Sequence, residues 1–142
     1  MTEVAIRKVA VGDVVANRRR GGEIRVVLGP QTAGAKTGFL GVLTLGAGEF
    51  VSEHYHPYSE EFLYVTKGSL VVRAAGEPIT IECGEGVLVP KHMPHRVENP
   101  GTETAEAVFH LCPLAPRPEL GHVDTEDLPN PDHAQLSVQE RS

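Results

Sequence analysis

The sequence predicts a single all-β domain, a sandwich or barrel built from short strands. Three observations carry that expectation. The 142 residues include 15 glycines and 11 prolines, a composition rich in turns. Between residues 24 and 111, short runs of β-branched, aliphatic and aromatic residues alternate with turn signals. No stretch before residue 112 keeps a helical period through three turns, and no repeat of solenoid length is present. With 40% hydrophobic and 23% charged residues the composition is that of one soluble globular domain, and the length leaves no room for two.

In chain order the strand-like runs are 24–28, 37–45, 50–56, 61–66, 69–74, 78–82, 87–89, 95–98 and 104–111. Residues 1–23 form a separate N-terminal segment, a candidate edge or swapped strand ahead of a barrel over 24–112. Leu63 and Val65 alternate with Phe62 and Tyr64, and Lys67-Gly68 supplies a turn before Ser69-Leu70-Val71-Val72, so this pair reads as a hairpin. From Pro113 the character changes. Pro113, Pro116, Pro118, Pro129 and Pro131 stand among Asp124, Glu126, Asp127 and Asp132, and such a segment is excluded from a sheet interior. Residues 113–142 are therefore expected to be an acidic arm, either disordered or with one helical turn.

The formal net charge is −6, and the basic residues are scattered apart from Arg18, Arg19 and Arg20, which argues against a nucleic-acid partner. No apolar run approaches a membrane span, and the N-terminus lacks the unbroken apolar stretch of a signal peptide, so a cytoplasmic protein is expected. Cys83 and Cys112 read as small hydrophobic residues of a reducing compartment and anchor no metal hypothesis.

The chemistry concentrates in histidines. His54 and His56 stand at i and i+2, so on a strand both imidazoles leave the same face and can share one metal. Glu61 opens the following strand and His95 lies further along, completing an imidazole and carboxylate set suited to zinc, iron, manganese or nickel. For a lone His-x-His the alternative is a pair of surface histidines at the mouth of a sheet.

The surrounding spacing reaches further. Gly48, five residues, His54, one residue, His56, four residues, Glu61, six residues and Gly68 form one pattern. Gly84, five residues, Pro90, Lys91, His92, two residues, His95, three residues and Asn99 form a second. A chance match to the first is on the order of 4 in 10,000 at these residue frequencies, so coincidence is set aside. Over residues 24–112 the chain resembles the cupin superfamily, departing once, with His92 where the family pattern has glycine. The resemblance implies a double-stranded β-helix barrel, or jelly roll, and one divalent metal held by His54, His56, Glu61 and His95 with open positions for water or substrate. Zinc is the expected ion, with Fe2+, Ni2+ and Mn2+ as alternatives. Homodimerisation through sheet edges is implied by the same analogy.

Two more histidines bear on the ligand set. His92 either points into the barrel mouth or stays in solvent, and His110, with Glu106 and Val108 on its face and Phe109 on the other, lies on an inward or an outward face. A fourth histidine in place of ionised Glu61 would leave the centre more positive and a bound enolate more stabilised.

His110 to His122, together with the His-Tyr-His-Pro-Tyr-Ser-Glu-Glu-Phe form of the first motif, is similar to the small cupin-type cyclases of bacterial aromatic polyketide biosynthesis. That resemblance implies intramolecular aldol cyclisation and dehydration of a poly-β-ketone, free or tethered to a carrier protein, with the metal as Lewis acid. Glu61, if not a ligand, or His92 is then the candidate base, and Phe39, Phe50, Tyr55, Tyr58, Tyr64 and Phe109 are candidate walls. A cupin dioxygenase and a non-enzymatic cupin that binds a small ligand are the alternatives, separated from the cyclase by oxygen uptake and by turnover.

Overall fold

A computed structural model describes residues 5–134. Ten strands follow one another: β1 (Glu23–Leu28), β2 (Phe39–Leu45), β3 (Phe50–Tyr55), β4 (Glu60–Lys67), β5 (Ser69–Ala74), β6 (Glu77–Glu82), β7 (Gly86–Val89), β8 (His95–Glu98), β9 (Ala105–Cys112) and β10 (Val123–Asp124). Every expected run forms a strand with boundaries displaced by at most two residues. A four-residue helix, α1 (Pro30–Ala33), and 3-10 turns at Val11–Asp13 and Pro118–Leu120 complete the elements of the described residues. No described helix is long and apolar enough to cross a membrane.

The strands make two antiparallel five-stranded sheets, ordered β1-β2-β9-β4-β7 and β10-β3-β8-β5-β6, which face each other as a jelly roll. Strand alternation sends Leu63 and Val65 of β4 and Ala105, Ala107, Phe109 and Leu111 of β9 inward. They meet Val51, Leu70, Val72, Ile81 and Val97 from the opposite sheet in one apolar cluster.

The β4–β5 hairpin expected from the sequence does not form. β4 pairs with β7 and β9, whereas β5 pairs with β6 and β8 in the other sheet. Gly68 carries the chain across with φ of 70°, a left-handed conformation that favours glycine, and a Cβ there would stand a tight 3.2 Å from the Cα of Ala105. Local alternation specifies two strands with a turn between them, but which sheet each joins depends on partners far away in sequence.

β3 carries the feature that aims the site. Val51 faces Val97 and His54 faces His95, so three steps along β3 match two along β8 and one residue bulges out. The bulge lets Val51 and His54, an odd number of residues apart, both point inward. Ser52 N–H in the bulge donates to the Arg20 carbonyl at 2.9 Å, drawing the N-terminal segment against this strand.

The arm is ordered over its described part. β10 adds to the edge of β3, pairing Val123 with Tyr55 and Asp124 with His54. The prolines flank this two-residue strand and leave its backbone free to pair. Residues 1–4 of the N-terminal segment and 135–142 of the arm lie outside the described residues.

Candidate metal centre

Four buried side chains converge between the sheets. His54 and the neighbouring His56 come from β3 and the turn after it, Glu61 from β4 and His95 from the start of β8. One potential ligand atom from each lies within 4.8 Å of all the others. His95 is 1% exposed, and His54, His56 and Glu61 are almost as enclosed.

Each imidazole is oriented by a backbone carbonyl. His54 Nδ1 lies 2.7 Å from Ser52 O, His95 Nδ1 lies 2.9 Å from Met93 O and His56 Nδ1 lies 3.0 Å from Gly121 O. A carbonyl only accepts, so Nδ1 carries the proton in all three rings and the Nε2 lone pair is left for the cluster. Glu61 Oε1 lies 3.0 Å from His95 Nε2 and 3.2 Å from His56 Nε2. Lone pairs and a carboxylate facing one another require a cation between them. A divalent ion supplies it with two charges, and three imidazoles with one carboxylate form a donor set that zinc accepts.

The electrostatics agree with a centre built for positive charge. Burial pushes the His54 imidazole down to about 3, with His95 and His56 adding to the effect, so it is neutral near pH 7. Burial opposes ionisation of Glu61, but the His56 and His95 rings facing it outweigh that and hold the carboxyl well below its ordinary range. Burial likewise lowers His95, and Glu61 overcomes it to leave the value raised.

The cluster opens on a cavity of about 1200 Å³. Phe39, Leu43, Val51, Val97, Phe109 and Leu111 supply apolar walls, and Arg20, His122 and Asp124 a polar side. Of the aromatic residues expected to line it, Phe39 and Phe109 do, packed edge to face at 6.1 Å. Phe50 instead lies under the Arg96 guanidinium, while Tyr58 and Tyr64 are exposed and Tyr55 is absent from the lining.

His92 and His110 do not join the ligands. His92 is exposed with φ of 65°, the left-handed conformation that the family glycine adopts freely, and its ring lies against Tyr55, which alternates with His54 and points away from the interior. His110 alternates with buried Phe109 and Leu111 and stacks on exposed Phe62 outside the barrel. Glu61, not a fourth histidine, completes the described cluster. Cys83 and Cys112 are both free and stand outside it.

Three participants escaped the sequence reading, namely Arg20, Gly121 and His122. His122 and Asp124 lie at i and i+2 around the strand pairing of Val123, so both take the inward face. Arg20 Nε and Nη2 bond the Asp124 carboxylate at 2.8 and 3.2 Å. The alternation was present in the sequence, but a two-residue strand between prolines carries too short a pattern to register.

Comparison with known proteins places this geometry. The Cupin_2 profile, the cupin domain, matches residues 41–111. Protein SchB of Streptomyces halstedii is 56% identical over 127 residues, covering 89% of this chain and 92% of that protein. The tetracenomycin polyketide synthase protein TcmJ of Streptomyces glaucescens is 50% identical over 130 residues, covering 92% of this chain and 87% of that protein. Among solved structures, the polyketide cyclase RemF from Streptomyces resistomycificus superimposes with a TM-score of 0.71 at 17% identity, over 89% of this chain and 90% of that one, a likeness of fold. Half of the sequence answers to one domain profile, and relatives at half identity or more span nearly all of it: the chain belongs to the cupin family.

Proposed function

We propose that this cupin is a metal-dependent polyketide cyclase, catalysing intramolecular aldol cyclisation and dehydration of a poly-β-ketone in aromatic polyketide biosynthesis. The observation that carries the reading is the meeting of three oriented Nε2 atoms and the Glu61 carboxylate at the wall of a large, mainly apolar cavity. The name of one relative supports the pathway, since TcmJ is a tetracenomycin polyketide synthase protein.

A divalent ion held by His54, His56, Glu61 and His95, zinc ahead of iron, nickel or manganese, would supply Lewis acidity toward a ketone oxygen or the paired oxygens of a β-diketone. The protein's own residues supply the rest. Phe39 and Phe109 offer flat apolar surfaces that hold a folded chain with nucleophilic carbon and carbonyl in contact and exclude water. His122 replaces His92 as the candidate base, because it lines the cavity. Burial and the Arg20 charge bring His122 down to about 4, so its imidazole is neutral near pH 7 but a weak base, and a divalent ion polarising the diketone would acidify the carbon it must deprotonate. It takes a proton from the carbon between two carbonyls; that carbon bonds the distant carbonyl carbon, whose oxygen becomes a hydroxyl. Loss of that hydroxyl with a second proton from the same carbon releases water. No electrons leave the substrate.

Zinc-loaded protein should therefore convert a poly-β-ketone, free or carrier-tethered, into a cyclised and dehydrated product without air, at a rate comparable to that in air. Strict dependence on oxygen, or activity with iron and none with zinc, would replace the cyclase by a dioxygenase. Binding without turnover in either atmosphere would leave a ligand-binding protein.

A further inference from the structure

We propose that the C-terminal arm is a positioning element of the metal centre, so that arm docking and metal binding are linked through the hydrogen bond from His56 Nδ1 to the Gly121 carbonyl. The proposal rests on the reading of the cluster as a metal centre and is independent of the reaction.

The three ligand histidines are not oriented alike. His54 and His95 find their carbonyls two residues away, at Ser52 and Met93, within their own segments. His56 reaches across 65 residues to Gly121. Its ring orientation therefore depends on where the arm lies. The arm is held at several places, among them the Asp124 carboxylate on Arg20 at 2.8 and 3.2 Å, the pairing of β10 with β3, Thr125 N–H to Glu53 O at 3.0 Å, Asn130 Nδ2 to Arg18 O at 2.7 Å and Arg19 Nη1 to the Pro131 and His133 carbonyls at 2.8 and 2.9 Å. When the arm leaves, His56 Nδ1 loses its acceptor and the ring is free to turn its lone pair from the cluster. Outer partners of metal-bound histidines typically carry 10- to 100-fold in affinity. Linkage is reciprocal, so metal binding favours the docked arm by the same factor. Gly121, His122 and Asp124 also form part of the cavity wall, so the bound metal fixes that wall in place.

Two variants outside the ligand set test this in the full chain. Asp124→Asn weakens the grip on Arg20 while keeping shape, and Asn130→Ala removes an exposed contact without touching the interior. Zinc affinity is read by competition with a chromophoric chelator, and amide hydrogen exchange is followed with and without zinc. Asp124→Asn should bind zinc about tenfold more weakly and Asn130→Ala more weakly to a smaller degree, with exchange in β9 unchanged as evidence of an intact barrel. In the wild-type chain zinc should slow exchange at the Thr125 and Asn130 amides, whose acceptors are Glu53 O and Arg19 O. Wild-type affinity in both variants with the barrel intact, or zinc that leaves those two amides unprotected, overturns the linkage alone. A wild-type chain that binds no zinc overturns the linkage together with the metal reading.

Discussion

Glu61 and His95 belong to different sheets, and their side chains meet at 3.0 Å between Oε1 and Nε2 across the interior of the barrel. The contact joins a carboxylate held ionised to an imidazole whose affinity for a proton is raised by that carboxylate. A buried pair of this kind is costly unless it is matched in charge, which makes Glu61 the sensitive point of the centre.

Glu61→Gln keeps the shape and removes the charge. Zinc affinity should fall at least about tenfold and turnover with it, since both ligation and the charge balance depend on the carboxylate. Metal analysis of the purified variant beside a turnover assay checks this; wild-type values for both would leave Glu61 without either role.

Replacing His54 and His56 together by Ala should abolish metal retention. A ligand at 100 times its dissociation constant stabilises the native state by about 2.7 kcal/mol. Calorimetry should show a rise in Tm with zinc for the wild-type chain and none for the double variant. Full metal occupancy in that variant would remove both residues from the ligand set.

The metal-free protein should be most stable near pH 6.5, the ordinary histidine value. Below it the unfolded chain takes up protons that buried His54, lowered to about 3, and His122, lowered to about 4, refuse in the native state, so stability falls as pH drops. Below about 4.5 the depressed Glu61 adds to that loss in the same direction. Above 6.5 His95, whose value is raised, still holds its proton while the unfolded chain has released it, so its contribution fades as pH climbs through the raised value. Thermal denaturation across pH 4 to 9 in a chelator should trace a single maximum; a Tm that does not decline between pH 6.5 and 4 would contradict the burial of His54.

Two histidines of the same sequence should respond in opposite ways. His92→Gly restores the residue suited to a φ of 65° and should keep zinc content and turnover, with stability raised by up to about 1 kcal/mol. His122→Asn should keep zinc but lower kcat by about 100-fold, the usual scale for a lost general base. Loss of turnover in His92→Gly with a normal rate in His122→Asn would reverse the two assignments.

Much of this protein is local and was therefore determined by sequence alone. Nine strands follow from alternation and turn residues, because side-chain period and backbone freedom are properties of neighbours. The i, i+2 spacing of His54 and His56 already placed both on one face, and Glu61 and His95 stood at motif distances. Tertiary structure alone decided the remainder, since each point turns on a partner remote in sequence. The bulge in β3 that brings Val51 and His54 to the same side exists only against β8, and the crossover at Gly68 only because β4 and β5 find different neighbours. The inward face of β9 is set by the cluster that Phe109 joins, which leaves His110 outside. A carboxylate at Asp124 and a guanidinium at Arg20, 104 residues apart, meet only in the folded chain, and together with the pairing of β10 on β3 they set where the arm docks and how His56 is oriented.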